Sequence, residues 1–190
     1  MSPRWTLAWF TGLLLIHVAG FANWSIGPFR TVSPITNYVV MLAVFLLPCA
    51  LFALALKARP SGFRLAAYCI LAPWMVICAI LAVGAAMDLQ GVLVHGTDPG
   101  FEYLHSISLP KSRVAAYRTN GGATTSFGIV VRQETPILPG VYRVEEIFHA
   151  YPGFEADMTV VGEDEVKISV PPYGSARQLV AQESVVRLRP

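Results

Sequence analysis

Three long apolar stretches occupy the first half of the chain, and short segments of alternating polarity occupy the second half. The apolar stretches cover residues 5–24, 38–56 and 65–87. Each is long enough to cross a hydrocarbon core of about 30 Å, because a helix rises ~1.5 Å per residue. The pattern therefore predicts three transmembrane helices within a membrane anchor formed by residues 1–94.

From residue 101 onward, runs of β-branched and aromatic residues alternate with turn residues. The predicted strands are 112–119, 124–133, 141–149, 156–161, 165–170 and 184–189. Successive side chains of a strand point to opposite faces, so we expect Val166, Ile168 and Val170 to pack together on the core. The pattern predicts a small antiparallel, β-sandwich-like domain at residues 101–190, joined to the helices by a polar linker near residues 96–100.

A tight hairpin turn is predicted at Asn120, Gly121 and Gly122, because glycine readily takes the positive φ that such turns require. The run from Ser108 to Gly128, with its Gly-Ala-Thr sequence between two strands, resembles a hairpin of uncharacterised bacterial envelope domains. Residues 162–170 resemble a later turn and strand of the same domains. The resemblance implies a membrane-tethered β domain and supplies no catalytic residues.

Charge divides the chain at the same place as hydropathy. All 12 acidic residues lie from Asp88 onward, and a carboxylate inside a bilayer is costly. Basic residues are concentrated in the loop between the second and third stretches, which contains Lys57, Arg59 and Arg64, whereas the first loop has only Arg30. Positive loops face the cytoplasm. We therefore expect a bacterial inner-membrane protein with a cytoplasmic N-terminus and a periplasmic C-terminal domain.

The first stretch has a second interpretation. A short basic segment with Arg4 precedes it, and the small residues Ala19, Gly20 and Ala22 follow its most apolar part, as in a cleaved signal peptide. Cleavage would leave two membrane spans in place of three. Both interpretations put the C-terminal domain on the same side of the membrane.

Titratable and sulfur-containing side chains in the apolar stretches are few. His17 has no acidic residue in the stretches with which to exchange a proton, so we expect a neutral imidazole hydrogen-bonded to a neighbouring helix. The three cysteines, Cys49, Cys69 and Cys78, all lie in the second and third stretches. The C-terminal domain therefore has no disulfide framework and depends on its hydrophobic core.

Ser108 and Lys111 match the S-x-x-K pattern of penicillin-recognising enzymes, but Pro110 opposes the helix that this pattern requires, and the companion S-D-N and K-T-G elements are absent. The C-terminal domain contains no other familiar motif for nucleophilic catalysis, phosphate binding or zinc binding. After His95 the chain carries nine basic and eleven acidic residues, a balance that gives no basic surface for nucleic acid. We therefore expect no catalytic residues, no cofactor, no metal and no nucleic-acid partner. The expected partners are the lipid bilayer and another protein of the envelope.

One segment of the domain combines aromatic residues with a Pro-Gly turn. Phe148, Tyr151 and Phe154 offer a large contact area at a small cost in conformational entropy, which is typical of protein interfaces. The same residues could instead cap the hydrophobic core. We predict a candidate contact patch here, and the two interpretations stay open at this point.

A rival function belongs to a different class. A ligand-binding or hydrolytic domain would need a polar pocket that contains at least two of His105, His149, Glu145 and Glu146. Glu145 and Glu146 are adjacent, so a strand would direct them to opposite faces. Contact with an envelope component is therefore the preferred hypothesis, and the pocket is the alternative.

Overall fold

The computed structural model describes residues 3–25, 27–57, 65, 67–96, 98, 100–120, 126–172 and 181–189. These residues contain three long helices and two antiparallel sheets. The chain divides into two units. The first consists of Met1–Gly27 and Ser33–Gln90, and the second of Pro28–Val32 and Gly91–Pro190.

The helices of the described residues are long and apolar, as the sequence predicts. They are α1 (Pro3–Ser25), α2 (Pro34–Lys57) and α3 (Ala72–His95), the last preceded by a π-helical turn at Ala67–Leu71. The segments long and apolar enough to cross a membrane are Trp5–Ser25, Pro34–Lys57 and Tyr68–His95. The prediction of three such helices is confirmed.

Helix α3 continues past the predicted end of the third span, through Asp88, to His95. The acidic residue limits the apolar stretch but does not stop the helix. Gly96 stops it, with a φ of 73° and an N–H that donates to Val92 O at 2.8 Å. A left-handed glycine with this bond is a common helix C-cap.

Helices α1 and α2 approach each other closely at Gly20. A Cβ added to Gly20 would lie 2.5 Å from Val44 Cγ2. Small residues permit such close packing between apolar helices.

The strands form a five-stranded sheet of order β1-β5-β4-β3-β2 and a three-stranded sheet of order β6-β7-β8. Their bounds are β1 (Phe29–Thr31), β2 (Phe101–Ser108), β3 (Arg113–Asn120), β4 (Phe127–Leu138), β5 (Val141–Ala150), β6 (Asp157–Val160), β7 (Glu165–Val170) and β8 (Gln182–Arg187). All neighbouring strands in both sheets are antiparallel. Of the predicted hairpin turn, Asn120 ends β3, whereas Gly121 and Gly122 lie outside the described residues.

Strand β1 comes from the loop between α1 and α2. It pairs with β5 from Phe29 opposite Arg143 to Thr31 opposite Val141. The N–H of Val32 also donates to Gly140 O at 3.2 Å. A membrane cannot separate two hydrogen-bonded strands, so this loop and the C-terminal sheet lie on one side of any bilayer that the helices cross.

Strand β4 is longer than predicted and contains Pro136, which the sequence analysis treats as a strand boundary. Pro136 pairs with Tyr142 beside an irregularity in the register. Proline lacks an N–H and is tolerated in a strand at such a position. The chain then turns through Pro139 and Gly140, whose φ of 79° suits the third position of a type II turn.

Both sheets contribute to one hydrophobic core. The predicted face of β7, formed by Val166, Ile168 and Val170, is buried there. The five-stranded sheet supplies Val114, Ala116, Ile129, Val131 and Ala150, and the remaining core residues are Ala156, Met158 and Leu188. Residues 101–190 contain no cysteine, so backbone hydrogen bonds and the hydrophobic core hold this domain together.

Gly153 is predicted to be essential for close packing of this core. A Cβ there would lie 2.9 Å from Ile129 Cγ1 and 3.2 Å from Val170 Cγ1. We expect Gly153→Ala to lower the free energy of unfolding of the β domain by roughly 1–3 kcal/mol, the usual cost of overpacking. Amide hydrogen exchange of β4 in the purified full-length protein measures this change.

Gly162→Ala is the matched control, because the nearest atom to an added Cβ there is 3.5 Å away, in Glu165. Equal exchange rates in β4 for the two variants would contradict the packing assignment.

Candidate functional site

The three residues of the predicted contact patch differ in their burial and contacts. Phe148 is partly buried and packs against the hydrophobic core. Tyr151 is 55% exposed, and its hydroxyl accepts a hydrogen bond from the N–H of Ser126 at 3.1 Å. Phe154 is half-buried, with its ring edge-on to Phe127 at 5.5 Å. Phe148 therefore caps the hydrophobic core, whereas Tyr151 is exposed at the surface.

Arg118 contacts this segment, although no local sequence pattern marks it. Its guanidinium lies over the Phe154 ring at 4.0 Å and the Phe127 ring at 5.2 Å. Its Nε donates to Glu102 Oε2 at 3.0 Å and its Nη2 to the same oxygen at 2.5 Å. We call Arg118, Phe127, Tyr151 and Phe154 the aromatic surface.

The local chain holds the aromatic surface in a fixed conformation. The N–H of Gly153 donates to Phe127 O at 2.9 Å, which ties the turn to β4. The ion pair with Glu102 fixes the plane of the Arg118 guanidinium over Phe154. Stacked arginine and aromatic side chains with few remaining rotamers lose little entropy when a partner binds.

The residues of the alternative pocket do not form one site among the described residues. Glu145 pairs with Arg189, while Glu146 lies opposite Arg132 in the register. His149 is opposite Val130 on β4, and His105 is opposite Ala116 on β3. In the part of the chain that the structure describes, no three His, Cys, Asp or Glu side chains are grouped closely enough to hold a metal ion.

A second cluster lies on the face of the five-stranded sheet that points away from the core. Glu134 is only 5% exposed and accepts hydrogen bonds from Arg113 Nε at 2.9 Å and from the Tyr117 hydroxyl at 2.5 Å. Arg113 Nη2 also pairs with this carboxylate. The buried charge is therefore matched by one guanidinium and one hydroxyl, as a buried carboxylate requires.

This environment changes how Tyr117 and Arg113 titrate. Burial, the hydrogen bond to Glu134 and the carboxylate charge all raise the pKa of Tyr117. Burial lowers the pKa of Arg113, but the hydrogen bond and charge of Glu134 outweigh it, so that the pKa is raised overall. The arrangement stabilises a neutral Tyr117 beside an ion pair and contains no activated nucleophile.

Arg132 lies next to this cluster and differs from Arg113 and Arg118. Its guanidinium stacks on the Phe101 ring at 3.9 Å and lies 5.3 Å from the Tyr117 ring. Burial lowers the pKa of Arg132 despite the nearby acidic groups. Among the residues that the structure describes, no side chain forms an ion pair with it. The chemistry available at this face is recognition of a polar or anionic group.

His17 is bound between helices of the first unit. Its Nδ1 lies 2.9 Å from Val44 O, which can only accept, and its Nε2 lies 2.8 Å from Trp74 Nε1, which can only donate. The imidazole is therefore neutral, with its proton on Nδ1. The expectation of a neutral histidine bonded to a neighbouring helix is confirmed, and the bonds join α1 to both α2 and α3.

The raised pKa of Tyr117 predicts a pH dependence of stability. A folded-state pKa above the ordinary value of 10.0 means that the folded chain keeps this proton longer than the unfolded chain does. The stabilisation is complete below pH 10 and is lost as the pH rises beyond it. We expect the stability of wild-type protein, measured by chemical denaturation, to fall more steeply above pH 10 than that of Tyr117→Phe.

Tyr103→Phe is the control, because Tyr103 is 52% exposed and its hydroxyl bonds to Ser106 on the same strand. A Tyr117→Phe variant with the same slope as wild type would refute the assigned coupling between Tyr117 and Glu134.

No family model, curated protein or solved structure matches this chain. Function must therefore be inferred from the geometry of the described residues.

Proposed function

We propose that this protein is an integral protein of the bacterial inner membrane, which presents its β domain in the periplasm for contact with another envelope component. The observation that carries the proposal is the pairing of β1 with β5. It joins the loop between the first two long apolar helices to the C-terminal sheet, as expected for three membrane spans with this loop and the domain on one side.

The helices support insertion into a bilayer through their surface as well as their length. Large apolar side chains are exposed on all three helices, including Leu15 at 65%, Leu46 at 56% and Ile80 at 68%. Exposed apolar surface of this extent marks an interaction with lipid or protein. Lipid is the simpler occupant, because residues 1–87 contain no acidic residue.

Charge supplies the orientation. The loop at residues 57–64 contains Lys57, Arg59 and Arg64, and it lies between α2 and α3, at the opposite end of α2 from β1. The rule that positive loops remain in the cytoplasm puts residues 57–64 inside and the β domain outside.

The shared core of the two sheets supports a sandwich-like domain. Ile129 and Val131 of the five-stranded sheet belong to the same buried cluster as Val166 and Ile168 of the three-stranded sheet. Packing of two sheets on one core leaves the loops and strand edges available for contacts.

The aromatic surface is the best-supported contact site in this domain. Tyr151 is exposed, and Arg118 and Phe154 are held in place by Glu102 and by their own stacking. Tyrosine and arginine are enriched among the residues that contribute most to protein interfaces. The partner is a protein of the envelope that docks against Tyr151.

A reporter enzyme that is active only outside the cytoplasm tests the topology. We expect activity when the reporter follows Pro190, because the β domain lies outside. We expect no activity when it is inserted after Gly62, because that loop is the basic one. Reversed activities would refute the orientation, and activity at both positions would refute a membrane crossing by α3.

Crosslinking in cells tests the contact. A photoreactive phenylalanine analogue in place of Tyr151 is expected to crosslink a partner protein, because the side chain is exposed on the aromatic surface. The matched control is the same analogue in place of Tyr103, which has a similar exposed fraction on β2, 52% against 55%. The crosslinked protein is identified after purification in mild detergent.

We also expect the partner to be lost from the purified complex of Tyr151→Ala and to be retained in that of Tyr103→Ala. Crosslinks of equal yield at both positions would show that the aromatic surface is not a specific docking site.

A further inference from the structure

The turn between β4 and β5 carries an exposed group of apolar side chains beside β1. Leu138 is 63% exposed and Ile137 48% exposed at the end of β4. Val32 and Phe29, in and beside β1, are 57% and 48% exposed. We call these four residues the apolar tip.

Backbone hydrogen bonds join the two segments that carry the apolar tip. Leu138 pairs with Val141, and Val141 pairs with Thr31 of β1. The N–H of Val32 donates to Gly140 O at 3.2 Å. The turn and β1 therefore cannot move apart while the sheet is folded.

The sequence keeps this surface close to two helix ends. Val32 is two residues from Pro34, the first residue of α2, and Phe29 is four residues from Ser25, the last of α1. Since a residue spans at most about 3.6 Å, Val32 lies within roughly 7 Å of the start of α2. Trp24 and Tyr38 lie near the same two ends, where aromatic rings favour the membrane interface.

The charge of the segment fits a phospholipid surface. Residues 28–32 and 135–143 contain no acidic residue and two arginines, Arg30 and Arg143. Arg143 is exposed and lies opposite Phe29 in the register. Segments that bind in the interfacial region combine apolar side chains with basic residues that remain near lipid phosphates.

We infer that the apolar tip inserts into the interfacial region of the lipid bilayer, with Arg30 and Arg143 at the level of the headgroup phosphates. This inference rests on the proposed insertion of the helices. The helices are the first attachment of the β domain to the membrane. The β4–β5 hairpin, about a hundred residues later in the sequence than β1, would be a second one.

Fluorescence quenching in lipid nanodiscs tests the inference with the full-length protein. The three native cysteines are first replaced by Cys49→Ser, Cys69→Ser and Cys78→Ala. A single cysteine is then introduced by Leu138→Cys and labelled with an environment-sensitive fluorophore. The nanodiscs contain phosphatidylglycerol and phosphatidylcholine with a nitroxide on the upper acyl chain, and iodide is the quencher in water.

Two further positions make the outcome interpretable. Val185→Cys reports an exposed apolar site on β8, 58% exposed, at which no lipid contact is inferred. Ile80→Cys reports a side chain of α3 that is 68% exposed and would face lipid if the helix spans the bilayer.

We expect lipid nitroxide to reduce emission at positions 138 and 80 and to leave emission at position 185 unchanged. We expect iodide to reduce emission at position 185 and to leave emission at positions 138 and 80 unchanged. Quenching at position 80 together with iodide quenching at position 138 would overturn the apolar tip inference alone. Protection of position 138 from both quenchers would also overturn it, because protein would then cover the tip. Absence of lipid quenching at position 80 would overturn the proposed membrane insertion itself.

Discussion

The pairing of β1 with β5 is the constraint on which the arrangement of the second unit depends. Three residues between two long helices complete the edge of a sheet built mainly from residues after 100. An unpaired edge of β5 would expose a row of backbone donors and acceptors, a hazard for aggregation. The same bonds fix the β4–β5 turn beside β1. One short strand thus covers the first three residues of the β5 edge, Val141–Arg143, and links the sheet to the first interhelical loop.

Buried polar groups follow the same requirement in both units. His17 satisfies both ring nitrogens, Glu134 receives bonds from Arg113 and Tyr117, and Gln133 exchanges bonds with the backbone of Arg189 at 2.7 and 3.1 Å. Among the described residues, no buried side-chain nitrogen or oxygen lacks a partner. Since an unpaired buried polar group costs about 1–3 kcal/mol, these bonds define which packing the chain can adopt.

The sequence predicts those elements whose signal is local. The three apolar helices follow from long apolar stretches, and strands such as β7 follow from alternation. Both signals are contained within a short segment of the chain. Strand β1 has three residues, too few for alternation, and its partner is over a hundred positions away. The register of β2 shifts between Tyr103 and His105, so the alternation of side chains that would identify this strand is broken there. The sequence shows the aromatic residues of the candidate contact patch. It does not show that Arg118 stacks on Phe154, because that contact depends on the pairing of β2, β3 and β4.

Two arginines of this domain are stacked on aromatic rings, and their surroundings differ. Arg118 is neutralised by Glu102 and presents a rigid, mainly apolar surface with Phe154, which suits contact with a protein. Arg132 is stacked on Phe101 at 3.9 Å, and among the described residues no side chain forms an ion pair with it. Of the titratable groups near Arg132, Glu134 is bonded to Arg113, and burial and that carboxylate raise the pKa of Tyr117. Glu146 lies opposite Arg132 in the register. Aromatic rings therefore hold Arg118 and Arg132 in fixed positions on the five-stranded sheet, an arrangement that is compatible with the proposed contact function.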